Sequence, residues 1–126
     1  MKVHTITINP NTSRIGPRVL DFNKEVLKYL DDERFIQIAD VLPNGDCLIV
    51  AENWKKKFKG IEDTKAFIIK KKFNNLYSKR QIDKTIVLLG KGIIVGISIR
   101  RGQHSYTQPK TPIEIIKKII KFRRIS

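Results

Sequence analysis

Cysteine, histidine and, past residue 50, acidic side chains are what this sequence lacks. Cys47 is the one cysteine among 126 residues. That excludes an intramolecular disulfide and a thiolate metal cluster, and it makes an intracellular compartment, cytoplasmic or nuclear, the expectation. His4 and His104 are the two histidines, too few for a His-based metal centre, and the carboxylates fall in no paired spacing. No metal, cofactor or catalytic set is therefore expected. Residues 1–10 lack the charged segment and apolar run of a signal peptide. No apolar stretch approaches the roughly 18 residues of a membrane-spanning helix. A phosphate loop at Gly90-Lys91-Gly92 is excluded because the spacing Gly-x-x-x-x-Gly-Lys-Ser/Thr does not occur. The acidic deficit is one-sided: residues 1–50 hold six Lys/Arg and seven Asp/Glu, residues 51–126 hold twenty and five, so the halves carry −1 and +15 of a formal net charge of +14. A self-repelling half of this kind implies a polyanionic partner.

What the chain does have is isoleucine and lysine. Apolar residues make up 40% of it, which argues for a folded core over a basic disordered tail, and 126 residues suit a single domain over 1–126. Lys outnumbers Arg eighteen to eight, a mixture better suited to phosphate contact than to base reading. The sequence pI of about 10.1 passes the rough cut of about 9 for a nucleic-acid-binding domain.

Alternation over residues 3–8 predicts a strand ended by Asn9-Pro10-Asn11. Pro17 suits a first helical turn, and Val19, Leu20, Val26, Leu27 and Leu30 recur at helical spacing, so a helix is expected up to Asp31-Asp32. Residues 35–42 and 47–53 read as a hairpin across Pro43-Asn44-Gly45-Asp46. Ala66, Ile69, Phe73, Leu76 and Tyr77 favour a second helix, although residues 66–69 also pass as a strand. Residues 85–89 and 93–99 read as strands, joined at Gly90-Lys91-Gly92 by a tight reversal or as one bent strand. Residues 102–110 read as a polar loop. Thr111-Pro112-Ile113-Glu114 has the capping-box pattern and opens a basic helix carrying Lys117, Lys118, Lys121, Arg123 and Arg124.

Strand, helix, strand, strand, helix, strand is the order of the ferredoxin-like βαββαβ fold. Thr5-Ile6-Thr7-Ile8-Asn9-Pro10-Asn11-Thr12 and Val41-Leu42-Pro43-Asn44-Gly45-Asp46-Cys47-Leu48-Ile49-Val50 resemble the first strand and the second loop with third strand of the RNA recognition motif. That resemblance implies an α+β, RRM-like antiparallel sheet, here with an added C-terminal strand and basic helix, and an RNA partner. Where that family stacks bases on exposed aromatics, the matching positions are His4 or Ile6 and Leu48 or Val50. Gly92-Ile93-Ile94-Val95-Gly96, followed by Ile113-Glu114-Ile115-Ile116 and Arg123-Arg124-Ile125, is similar in pattern to insect-type non-LTR retrotransposon Gag-like proteins. Their zinc knuckles are excluded here by the single cysteine.

Three segments are candidates for nucleic-acid contact. Lys55, Lys56, Lys57 and Lys59, interleaved with Trp54 and Phe58, combine phosphate grip with a stacking aromatic; the plainer reading is a solvated charge run over a core Trp54. Arg100, Arg101, His104 and Tyr106 bring several donor shapes and an aromatic into one loop. Lys117, Lys118, Lys121 and Arg124 line one side of the last helix, suited to a phosphate backbone and less to an anionic membrane surface. The expected function is binding of RNA or single-stranded nucleic acid through phosphates. The alternatives are a small metal-independent ribonuclease or toxin-like enzyme using His104 and Tyr106, and a structural component of a ribonucleoprotein or viral particle. A protein partner or homo-oligomer is also open to the Ile-rich last helix.

Overall fold

Leu48-Ile49-Val50 and Ile93-Ile94-Val95 are apolar without alternation, the pattern of strands covered on both faces. The computed structural model, which describes residues 2–22, 24–30, 36–42, 45–51, 64–74 and 81–125, places both runs at the centre of the larger of two sheets. The elements are β1 (Lys2–Asn9), β2 (Arg14–Asp21), α1 (Val26–Tyr29), β3 (Ile36–Val41), β4 (Cys47–Ala51), β5 (Thr64–Asn74), β6 (Gln81–Leu89), β7 (Gly92–Arg100), β8 (Gln103–Thr107), α2 (Ile113–Ile119) and β9 (Ile120–Ile125). The larger sheet runs β2-β1-β7-β4-β3, with β8 added to β7, and the smaller runs β6-β5-β9. Every described pairing is antiparallel.

One face of the larger sheet buries Ile6, Ile8, Leu48, Val50 and Ile94 with Ile116 and Ile120 from α2 and β9. The other buries Val3, Leu20, Ile49, Ile93 and Val95 with Val26 and Leu30 from the α1 region. Each such full burial contributes about 1.5–3 kcal/mol. No helix among the described residues is long and apolar enough to cross a membrane.

The α+β class and the antiparallel sheet agree with expectation, whereas the βαββαβ order is not the one the described elements trace. The stretch around Pro17 is strand β2, not a helix, paired with β1 over eight residues from Lys2↔Asp21 to Asn9↔Arg14. Asn9-Pro10-Asn11 is therefore a hairpin turn, and Ser13 takes the left-handed φ of 52° that closes it. Pro17 is admissible because β2 is an edge strand, where half the backbone groups have no ladder partner. Helix α1 is a single turn after it. The second expected helix is β5, the middle strand of the smaller sheet. There the β-branched run wins over helical spacing once two neighbours offer pairing.

Gly90-Lys91-Gly92 neither reverses a hairpin nor bends one strand; it carries the chain from the smaller sheet to the larger. The expected loop over 102–110 contains β8, paired with β7 from Gly96↔Thr107 to Arg100↔Gln103. The expected C-terminal basic helix stops at Ile119. Ile120 is extended at φ −108° and ψ 130°, and β9 pairs with β5, so Lys121, Arg123 and Arg124 belong to a strand.

The hairpin between β3 and β4 forms as expected, and its turn carries the long-range link that seats α2. Asp46 is fully buried. Its Oδ1 accepts the Lys110 backbone N–H at 3.0 Å and its Oδ2 accepts that of Thr111 at 2.7 Å. Pro112, and not Thr111, is the N-cap residue, and no side chain caps the helix. The expected capping box does not form; a carboxylate up to 65 residues away instead fixes the two residues that lead into the N-cap.

β7 hands over from β1 and β4 to β8 at Gly96. A Cβ there would lie 2.6 Å from the Gln108 carbonyl oxygen and 2.6 Å from Thr107 Oγ1. The hydroxyl can rotate, but the carbonyl is backbone and cannot. Gly96→Ala is expected to lose about 1–3 kcal/mol in urea unfolding, the usual cost of overpacking. Asp46→Asn is expected to cost about 1–3 kcal/mol by the same measurement, because the amide turns an N–H₂ toward a buried N–H donor. The Cys47 thiol is pushed above its ordinary 9.0 by burial first and by the Asp46 carboxylate second. The fold therefore favours the neutral thiol, whose stabilisation is full below pH 9.0 and lost as pH rises through the folded value. Urea midpoints taken across that alkaline range should fall less in Cys47→Ala than in the wild type.

Candidate anion-binding groove

A two-residue offset on a strand keeps side chains on one face, so Arg14, Gly16 and Arg18 share a face of β2 with their partners Asn9, Thr7 and Thr5 on β1. Thr5 is buried and its Oγ1 donates to the Arg18 carbonyl at 2.7 Å, while Thr7 Oγ1 donates to the Gly16 carbonyl at 3.4 Å. These bonds hold the edge strand on which both arginines stand exposed.

Alongside lies a concavity of about 800 Å³ lined from β1, the β1–β2 turn, β2, α1, α2 and β9. Arg14, Arg18, Lys117 and Lys121 line it, and none of its described lining residues is acidic. Tyr29 and Phe122, both half-buried, are its aromatic rings. A smaller hollow of about 280 Å³ shares Asn9, Arg18 and Tyr29 with it and adds Lys28, Lys91 and the single acid Glu25. The Arg18 guanidinium carbon lies 5.1 Å from the Tyr29 ring centroid and Lys91 Nζ lies 5.2 Å from it. Each is a cation–π contact of about 0.5–1 kcal/mol at exposed sites. Tyr29 Oη also donates to the Ile8 carbonyl at 3.4 Å. One anchored ring thus holds two cations from distant parts of the chain beside the groove.

Of the residues expected to contact nucleic acid, Lys117 and Lys121 line this groove. Lys118 is exposed on α2 outside its lining, and Arg124 lies on β9 with its side chain outside the described set. Arg100 and Arg101 are exposed where β7 turns into β8, at the other end of β7 from Gly92, which pairs with Ile8. His104 is on β8, its side chain likewise outside the described set. Tyr106 is half-buried and packs on Phe22, ring centroids 4.5 Å apart, against the second core cluster. Trp54, Lys55, Lys56, Lys57 and Lys59 all lie outside the described residues.

Sequence reasoning missed Arg14, Arg18, Tyr29 and Lys91. The two arginines sit in the half of net charge −1, and their signal was the turn at Asn9-Pro10-Asn11, which makes the next residues a second strand. Lys91 stands in Gly90-Lys91-Gly92, whose spacing excludes a phosphate loop and marks no other site. Tyr29 gives no signal in sequence, because its role depends on cations from β2 and from the residue before β7.

Among the described residues no group of three His, Cys, Asp or Glu side chains comes together. No family model, no curated protein and no solved structure matches the chain.

Proposed function

We propose that the protein binds a single strand of nucleic acid, RNA foremost, in the groove between the β1–β2 hairpin and the α2–β9 segment. The observation that carries this reading is one concavity wrapping the β2 edge, lined by Arg14 and Arg18 from the α1 face of the larger sheet and by Lys117 and Lys121 from the α2–β9 side, with no acidic residue in its described lining. Phosphates neutralised by such cations release counterions, which supplies most of the affinity of this kind of complex. A concavity of about 800 Å³ is of the size that envelops a small organic ligand. Phe122 and Tyr29 supply rings of the type on which unpaired bases stack. Exposed Thr12 and Ser13 at the hairpin turn offer hydroxyls suited to a ribose 2′-OH, the group that separates RNA from DNA. The proposal does not need a ferredoxin-like sheet, since the cations come from an edge strand and the α2–β9 segment and not from a stacking face.

Fluorescence anisotropy with a labelled RNA strand at several salt concentrations tests this reading. Four groove phosphates predict a slope of log K against log salt of about −3, at about 0.7 per phosphate for single strands. Arg18→Gln and Lys121→Gln should each make the slope shallower by about 0.7, uniformly across sequences. The DNA strand of the same sequence should bind more weakly. Affinity absent at low salt, or unchanged by salt, would sink the proposal.

A further inference from the structure

The second half of β7 leaves the body of the sheet. Among the described residues, Gly96 to Arg100 pair with β8 alone, because β1 meets β7 at Gly92, Ile93 and Ile94 and β4 meets it at Ile93, Ile94 and Val95. Neighbouring residues on a strand point to opposite faces. Ile99, 63% exposed, and Arg100 are both exposed, as are Arg101, Gly102 and Gln103. The tip of this two-stranded ribbon is therefore open on both faces.

Arg101 and Gly102 close the ribbon as a two-residue turn with φ 51° and 78°. Such a turn needs positive φ at both positions and ordinarily places Asn, Asp or Gly first. An arginine there is held in a backbone state that a large side chain rarely takes, next to a second arginine at Arg100. Neither belongs to the groove. Gly92, beside the groove end of β1, and Arg100 are eight residues apart on β7, about 26 Å of strand at about 3.3 Å per residue.

We infer that the Arg100-Arg101 tip of the β7–β8 ribbon is a second phosphate-contact site, and that one chain therefore holds two segments of nucleic acid, one in the groove and one at the tip. The inference rests on the groove reading. The occupant is fixed by charge: two guanidiniums with five donors each, in the fork geometry that matches phosphate oxygens. Ile99, exposed on the opposite face of the ribbon from Arg100, leaves that second face apolar at the tip. A chain with two such sites at opposite ends of a strand draws separate segments together, and on a long strand the second contact becomes intramolecular and adds avidity.

A bridging assay tests this. A short biotinylated RNA is immobilised, protein is added, and retention of a second, fluorescent RNA too short to span β7 is measured, with light scattering to follow the protein's mass. The wild type should retain the second RNA as a monomer. Arg100→Gln with Arg101→Asn should lose at least about tenfold of that retention, as expected for two charge-assisted contacts, while groove affinity, read by anisotropy with one RNA strand too short to span β7, stays within about twofold of wild type. Arg101→Asn alone should raise the melting temperature, since Asn tolerates the turn, and still weaken bridging. A plain structural turn would change the first and not the second. Bridging that survives the double substitution, a wild type that binds one RNA and never a second, or bridging that tracks a dimer overturns the inference and leaves the groove standing. So does capture of anionic phospholipid vesicles by the tip without RNA bridging. Failure to bind even one strand removes the groove reading and this inference together.

Discussion

A buried carboxylate bonded to two backbone N–H groups sets the geometry on which the rest of the structure depends. Asp46 sits in the turn between β3 and β4 and receives Lys110 and Thr111, so the segment leading into α2 is pinned to a hairpin more than sixty residues earlier in the chain. Burying a charge is expensive unless its hydrogen bonds are made, and here each oxygen has a donor. Because α2 is short and has no side-chain cap, its position comes from this link and from Ile116 and Ile120 in the core. Where α2 goes, Lys117 and Lys121 go with it, and the groove takes its second pair of cations.

The same economy appears in β7. Its first residues are covered on both faces and paired on both edges, so they form a rigid spine. Among the described residues its second half pairs with β8 alone, and Ile99 and Arg100 at its end are exposed. Gly96, pressed against the Gln108 carbonyl, is where one regime gives way to the other. A single strand thus has a buried end near the groove and an exposed end bearing two arginines.

Charge explains why these features lie where they do. A chain of formal net charge +14 repels itself when compact, and the cost is least when cations sit at edges and tips with solvent around them. Arg14 and Arg18 on an edge strand, Lys117 and Lys121 on the α2–β9 segment, and Arg100 and Arg101 at a ribbon tip all meet that condition. Tyr29 adds a local remedy by holding Arg18 and Lys91 at its ring.

The strands with strong local signals were legible in sequence: alternation in β1, the Asn-Gly turn between β3 and β4, and the apolar runs of β4 and β7. Helical spacing misled at Val19 and Leu20, though not at Val26 to Tyr29, and again from Ala66 to Phe73, because a period in one segment cannot report that a neighbouring strand is available to pair with it. The excess of Lys and Arg, the absence of paired carboxylates and the lone cysteine were likewise determined by sequence. Which cations share a surface was decided by tertiary structure alone. Residues 14, 18, 117 and 121 are brought together by β1–β2 pairing and by a carboxylate at residue 46, contacts that span up to 65 residues and leave no mark in any local window.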